Sequence, residues 1–521
     1  MKNYIKFVAI AALGLVACEP EFDKSVEDGD FYSSGEANFA KYVAVGNSLT
    51  AGYADGALYR QGQKNSFPNL LAQQLEFVGG GEFNQPLTND NLGGLTLNGQ
   101  AIASNRLTLS LVNGNPSPTP IEGQPTTEIS NTQTGPFNNM GVPGAKSFHL
   151  LANGYGNLAG VSAGQANPYF VRFRSSENAS VIEDAVAQNP TFFSLWIGNN
   201  DVLSYATSGG VGENQLGNLD PTTYGSNDIT DPNVFASVYA QEVEALMASA
   251  SAGVLLNIPN VTDTPFFTTV PFAPLTPALL GDQLPVLNAT FAQLNQAFAF
   301  LGVPERAIQF NSDGPSGVLI QDESIPNISA QLAQVLQAGG LDAATANLYA
   351  QQFGQVRQSN ENDLLVLTSS AVIGSLNESH LGVLMGLGVP REAAAQLAVN
   401  GVTYPLQDQY VLIPTEQEDI ANATAAFNAT IAGIASSKGL ALVDVNAILN
   451  EVADGGVSFD GGLITSTFAT GGAFSLDGVH LTPRGNAFIA NQIILSLKET
   501  YGSDIPMLNV GDYNGGPAIG E

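Results

Sequence analysis

A chain of 521 residues with 47 Asp and Glu against 16 Lys and Arg carries a formal charge of −31. Polyanions are held by clustered cations, so this balance argues against duplex nucleic acid or an anionic bilayer surface as a partner of the folded body. Only 12% of residues are charged and 44% are hydrophobic, which excludes a disordered acidic tail and leaves ample material for a large core. The single Cys rules out an internal disulfide and any multi-Cys zinc or iron–sulfur site. Glycine, at 56 residues, exceeds the usual share of ~7% and signals many turns.

At the amino terminus, Lys2 and Lys6 precede an apolar run from Phe7 to Ala17, which has the length of a signal-peptide core and is too short to span a bilayer. Its end, Leu15-Val16-Ala17-Cys18, resembles a bacterial lipobox, which implies cleavage before Cys18 and lipidation of that residue. An ordinary secretory peptide with an incidental Cys is the alternative. Acyl chains contribute ~0.8 kcal/mol per buried CH₂, so two or three of them anchor firmly. The protein is therefore expected in the bacterial cell envelope, on the outer membrane, touching the bilayer only through this anchor. Residues 18–40 are polar and acidic and read as a flexible tether to a body spanning 41–521.

Length alone suggests about three domains, but the periodicity argues for one. Short apolar runs at Tyr42–Val45, Asn138–Val142 (weak), Phe192–Ile197, Val254–Ile258 and Ala441–Val445 read as buried parallel strands. Helical spacing covers 66–77, 234–249 and 417–437. The last helix is the clearest: Thr482 caps it, Pro483 suits its first turn, and Ile489, Ile493 and Leu497 share a face. Strands alternating with helices predict a doubly wound α/β fold. Two stretches interrupt the rhythm. Residues 79–135, rich in Gly, Asn, Pro and Thr, read as a long loop; residues 266–361, with helices expected at 286–301, 328–338 and 342–357, read as a helical insertion.

Four segments carry chemistry. KYVAVGNSLTAGY (41–53) leaves the Ser48 hydroxyl at the carboxyl end of the first strand, the edge where open parallel sheets place ligands. NNMGVPGAK (138–146) is a Gly-rich turn in which Gly144 offers a backbone N–H. FFSLWIGNNDVLSY (192–205) runs a strand into Asn200, whose amide can donate to a developing oxyanion. SLDGVHLTPRGN (475–486) puts Asp477 and His480 three apart in a turn, an acid placed to orient a base that deprotonates a serine. Of the other two histidines, His149 and His380 lack an acid neighbour in sequence and read as structural. GVSAG (160–164) matches a nucleophile elbow, but no strand precedes Ser162 and no helix follows it. GVPGAKS (141–147) fails the phosphate-loop spacing, and no metal motif is present, so neither a cofactor nor a metal is implied.

Taken in order, the four segments resemble the SGNH (GDSL-like) hydrolase family, over a framework from about residue 41 to 500 outside the two insertions. The resemblance implies a three-layer α/β/α fold on a flavodoxin-like parallel sheet of about five strands. It implies Ser48 as nucleophile, His480 as general base and then acid, and Asp477 as the group that orients the imidazole. It further implies an oxyanion hole from the N–H groups of Ser48 and Gly144 and the amide of Asn200. One departure is visible: the family's GDSL reads GNSL, so Asn47 stands where an acid is usual, and altered local hydrogen bonding without loss of chemistry is expected. The implied activity is that of a lipid-anchored carboxylic ester hydrolase, esterase or lipase, acting on a small-molecule or lipid ester. A carbohydrate acetylesterase and a non-catalytic glycan- or lipid-binding envelope lipoprotein are the alternatives. Apolar residues of the second insertion (Phe266, Phe267, Phe272, Leu279, Leu280, Phe298 and Phe300) would either line an acyl pocket or, the favoured reading, build that insertion's own core.

Overall fold

The computed structural model describes residues 31–112 and 115–517. The signal peptide, Cys18 and the tether up to residue 30 lie outside the described residues.

Five short runs, buried except for the half-buried Leu442, form the central sheet: β1 (Tyr42–Gly46), β2 (Asn139–Gly141), β3 (Phe192–Trp196), β4 (Ala252–Leu256) and β5 (Ala441–Val443). All pairs are parallel, in the order β2-β1-β3-β4-β5, with Gly46 opposite Gly141 on one side and Trp196 on the other. A parallel sheet needs crossover connections, and both of its faces are then covered.

Alternation along the strands sorts the core into two layers. Val43, Val45, Phe193, Leu195 and Leu255 face Phe235, Tyr239 and Val243 of α1 (Pro232–Met247) and Ile420, Phe427 and Ile431 of α2 (Pro414–Lys438). Tyr42, Ala44, Phe192, Val254 and Leu256 face the helix Phe67–Leu75 and the carboxyl-terminal helix Pro483–Tyr501. Between α2 and the end of the chain lie β5, α3 (Val445–Ala453) and α4 (Pro483–Tyr501). The Thr482 hydroxyl accepts the Gly485 N–H at 3.0 Å, Pro483 occupies the first turn, and Ile489, Ile493 and Leu497 are all buried. The architecture is thus α/β with helices on both faces of a five-stranded parallel sheet, consistent with three layers.

Three expectations need correction. The tether is shorter than expected, because Ser33 pairs with Asp504 and Phe39 is buried edge-on against Phe192. An apolar side chain in an acidic stretch finds a site on the sheet, so at least residues 33–40 belong to the body. Residues 79–135 are not only loop: Leu107–Val112 pairs antiparallel with Asn115–Pro120, and Leu95–Leu97 pairs with Gln100–Ala101 and Thr127–Glu128. Leu107–Val112 is mostly half-buried or exposed, and Gln100–Ala101 and Asn115–Pro120 carry Gln, Asn and Pro, so they lack the continuous apolar run that marks the central sheet. The second insertion runs past 361. Helices Leu284–Phe300, Ser329–Ala338 and Ala343–Phe353 appear where expected, but Glu378–Gly386 and Arg391–Leu397 follow, and Leu364–Leu365 pairs with Val411–Leu412. One apolar core extends from Leu275 to Ile413, so the unit closes only at the start of α2.

Candidate active site

Strand β1 ends at Gly46, where a Cβ would fall 2.3 Å from both the Trp196 carbonyl oxygen and Thr50 Oγ1; only glycine allows β1, β3 and the following turn to approach so closely. Asn47 then caps the one-turn helix Ser48–Ala51: its Oδ1 accepts the Leu49 N–H at 3.0 Å, while its Nδ2 donates to Asn199 Oδ1 at 3.0 Å. The second bond needs a donor, which a carboxylate at this position would lack. The altered hydrogen bonding expected of GNSL is therefore a tie between the loops after β1 and β3.

Those loops flank the point where strand order reverses, and such switch points open a crevice at the carboxyl edge of the sheet. Ser48 sits in it, 6% exposed, with Oγ 2.8 Å from His480 Nε2. His480 Nδ1 lies 2.9 Å from Asp477 Oδ2. Asp477 Oδ1 also accepts the N–H groups of Val479 at 2.9 Å and His480 at 2.8 Å, and Oδ2 accepts that of Gly56 at 2.8 Å. Burial alone would raise the Asp477 carboxyl, but the facing His480 charge and these bonds outweigh it and hold the group well below the usual carboxylate range. An ionised acid on Nδ1 keeps the proton there and leaves Nε2 free to accept from Ser48.

Several supports come from residues that the sequence reading passed over. The Tyr53 ring stands 4.6 Å from the His480 ring, and its hydroxyl donates to the Gly56 carbonyl. Asp55 accepts the Leu476 N–H at 3.0 Å and the Tyr59 hydroxyl at 2.9 Å, while its own N–H donates to Ser475 Oγ at 2.9 Å. Segment 53–59 thus clamps the turn that carries Asp477 and His480. On the opposite side, Asn200 Nδ2 donates to the Ala145 carbonyl at 2.9 Å, and the fully buried Asp201 accepts both the N–H and the hydroxyl of Ser147 at 2.8 and 2.7 Å. With Val142 donating to the Gly46 carbonyl at 2.9 Å, the Gly144 turn is strapped beside Ser48. Gly144 has φ +80°, a conformation that favours glycine, and among the described residues neither its N–H nor that of Ser48 donates to a protein acceptor. Two unpaired backbone donors and the Asn200 amide thus lie on the segments that follow β1, β2 and β3, at the same edge of the sheet. Tyr53, Asp201 and Ser475 lie within the motif segments and Ser147 directly follows one, which is the signal the sequence offers; their roles, like that of Asp55, show only through tertiary contact.

The remaining motif residues are placed elsewhere. His149 stacks on Tyr155 at 4.7 Å and accepts the Lys146 N–H; burial, with the neighbouring Lys146 charge, lowers its pKa to about 4. His380 stacks on Tyr404 at 4.2 Å, and its backbone N–H donates to Asn377 Oδ1 at 2.9 Å. Ser162 lies exposed in a 3-10 turn (Leu158–Ala163). Lys146 is buried, its ammonium donating to the Asp228 carbonyl, so GVPGAKS holds a structural lysine.

A narrow cavity of about 70 Å³ opens beside Ser48 and His480 and runs between α3 and the first turns of α4. It is not lined by the seven apolar residues considered in the second insertion. Leu280 and Phe298 are buried in that insertion's own core and Phe267 in the main core, while Phe272, Leu279 and Phe300 are exposed. Among the described residues, Glu323, Asp408 and Glu416 bring three carboxylates within 4.8 Å of one another where the insertion meets α2. Burial, with help from Glu323, raises Asp408 to about 6. None of the three lines the cavity beside Ser48.

Comparison with protein-family models, curated proteins and solved structures gives no match.

Proposed function

We propose that this protein is a serine hydrolase of carboxylic esters, of the SGNH (GDSL-like) type, held in the bacterial cell envelope by a lipid on Cys18. The observation that carries the proposal is the unbroken chain from Ser48 Oγ through both ring nitrogens of His480 to Asp477, at 2.8 and 2.9 Å. The strand order, which is that of flavodoxin-like sheets, and the four motif segments converging on one edge support the family.

In this reading Ser48 Oγ attacks the ester carbonyl carbon as its proton passes to His480 Nε2. The carbonyl oxygen becomes an oxyanion held by the Ser48 and Gly144 N–H groups and the Asn200 amide. Collapse breaks the bond to the alcohol, which leaves with the proton from His480. Water then gives its proton to His480 and attacks the acyl-Ser48, releasing a carboxylic acid and restoring the serine. Asp477 stays ionised throughout and stabilises the imidazolium.

A fluorophosphonate probe tests this directly, because it requires an activated hydroxyl. Labelling of the wild-type protein with the adduct on Ser48 is expected; absence of any adduct from folded protein overturns the proposal and leaves a non-catalytic binder. Replacing Asn200 with Ala removes one oxyanion donor and the strap to Ala145 together. We expect a fall of roughly 10²–10³-fold in kcat on a p-nitrophenyl ester, with KM changed far less.

A further inference from the structure

The cavity beside Ser48 has a composition that selects among esters. Its polar groups are confined to the mouth, where Ser48, His480, Asn199, Asn200 and Thr264 meet. Away from the mouth the walls are hydrocarbon throughout. Ile448, Leu449 and Val452 of α3 face Phe488 of α4 across the gap, and Ile464 and Ala473 lie with them. Leu449, Val452, Ile464, Ala473 and Phe488 also belong to one buried apolar cluster that extends past the cavity to Val510. Among the described residues, no Asp, Glu, Lys or Arg side chain lines the space.

Two physical consequences follow. A sugar ring entering this slot would strip water from several hydroxyls and offer them no partner, at a cost of about 1–3 kcal/mol for each buried unpaired group. A methylene chain, by contrast, exchanges water for hydrocarbon at every carbon, and its slim cross-section suits a narrow void. The mouth is also where the acyl carbon sits once it is bonded to Ser48, so the chain attached to that carbon is tethered at the entrance through both halves of the reaction.

We infer that the slot between α3 and α4 is an acyl-chain site, and that the substrate is an ester of a linear aliphatic acid rather than an acetylated glycan. This rests on the serine hydrolase reading above. The residues that set chain length are then Leu449 and Val452, which lie further along α3 from the carboxyl edge of the sheet where Ser48 sits.

The test is a panel of p-nitrophenyl esters from acetyl to palmitoyl, with Ser48→Ala as background. Each methylene buried in hydrocarbon adds roughly fourfold to binding, so kcat/KM should climb by about that factor per carbon from acetyl until the slot is full, then level or fall. Leu449→Trp fills part of the slot and should lower the hexanoyl-to-acetyl ratio of kcat/KM by about tenfold or more. Val452→Ala enlarges it and should move the maximum to chains about one or two carbons longer, so the inference stays open to refutation if the Trp variant does not fold. A flat or falling series, or ratios and maxima untouched by both variants, overturns the inference. A rise seen only in alkyl acetates, where the alcohol is varied, places the slot on the leaving-group side and overturns it equally. In all these outcomes Ser48-dependent acetyl ester hydrolysis leaves the hydrolase reading standing; hydrolysis that survives Ser48→Ala refutes that reading itself.

Discussion

Replacement of Ser48 by Ala is expected to lower kcat on a p-nitrophenyl ester by on the order of 10⁶-fold, leaving only the rate that the oxyanion donors and binding provide. The magnitude follows from the arrangement of the site. Among the described residues, the three partners form one hydrogen-bonded line, and no second hydroxyl is paired with His480 Nε2. The variant should fold normally, because losing one oxygen at the crevice removes a single bond to an imidazole that borders open space. A folded Ser48→Ala protein that turns over ester at the wild-type rate would refute the proposed chemistry.

Asp477→Asn should cost about 10⁴-fold in kcat while preserving the backbone around it. Asp477 receives three backbone N–H groups and the ring Nδ1–H, so both carboxylate oxygens are acceptors here. An amide has only one. With its oxygen turned toward Val479 and His480 N–H, its NH₂ faces Gly56 N–H and the ring, which favours the tautomer with the proton on Nε2; that tautomer cannot take a proton from Ser48. The variant also predicts a pH signature in stability. The native carboxyl is held below its unfolded value, so its stabilising contribution is complete above the unfolded Asp pKa of ~3.9 and fades as pH falls through the depressed folded value. The stability gap between wild type and Asp477→Asn, measured by chemical unfolding, should accordingly be constant at neutral pH and narrow in acid. A gap independent of pH would show that the ionised acid is not what the site holds.

Much of this arrangement was legible in the sequence, for identifiable reasons. The sheet strands are continuous apolar runs because parallel strands are buried on both faces, and α4 carries its own cap, proline and apolar stripe. Ser48, Gly144, Asn200, Asp477 and His480 stand at turns directly after or before such elements, where residue type alone limits the options. The supports were hidden because their meaning is a contact. Asp55 and Ser475 are separated by 420 positions, and neither has a local pattern that announces the other. The large apolar residues of the insertion left both readings open, because frequency does not say whether a side chain packs inward or lines a void; Leu280 and Phe298 pack into the insertion's own core, the favoured reading. Leu449 and Val452 look like any amphipathic helix face until Phe488 is seen across from them.

The bond between Ser48 and His480 closes a loop of 432 residues. Entropy of closure rises only with the logarithm of length, so the insertions burden the equilibrium little, yet contacts so distant in sequence are among the last to form. Ser48 is synthesised 432 positions ahead of His480. On the proposed chemistry and the proposed export, the protein would therefore be inert while it threads, unfolded, past an ester-rich bilayer, and would gain its reactivity only when these two distant segments dock. Latency of this kind needs no inhibitor and no pro-segment; it is written into the connectivity.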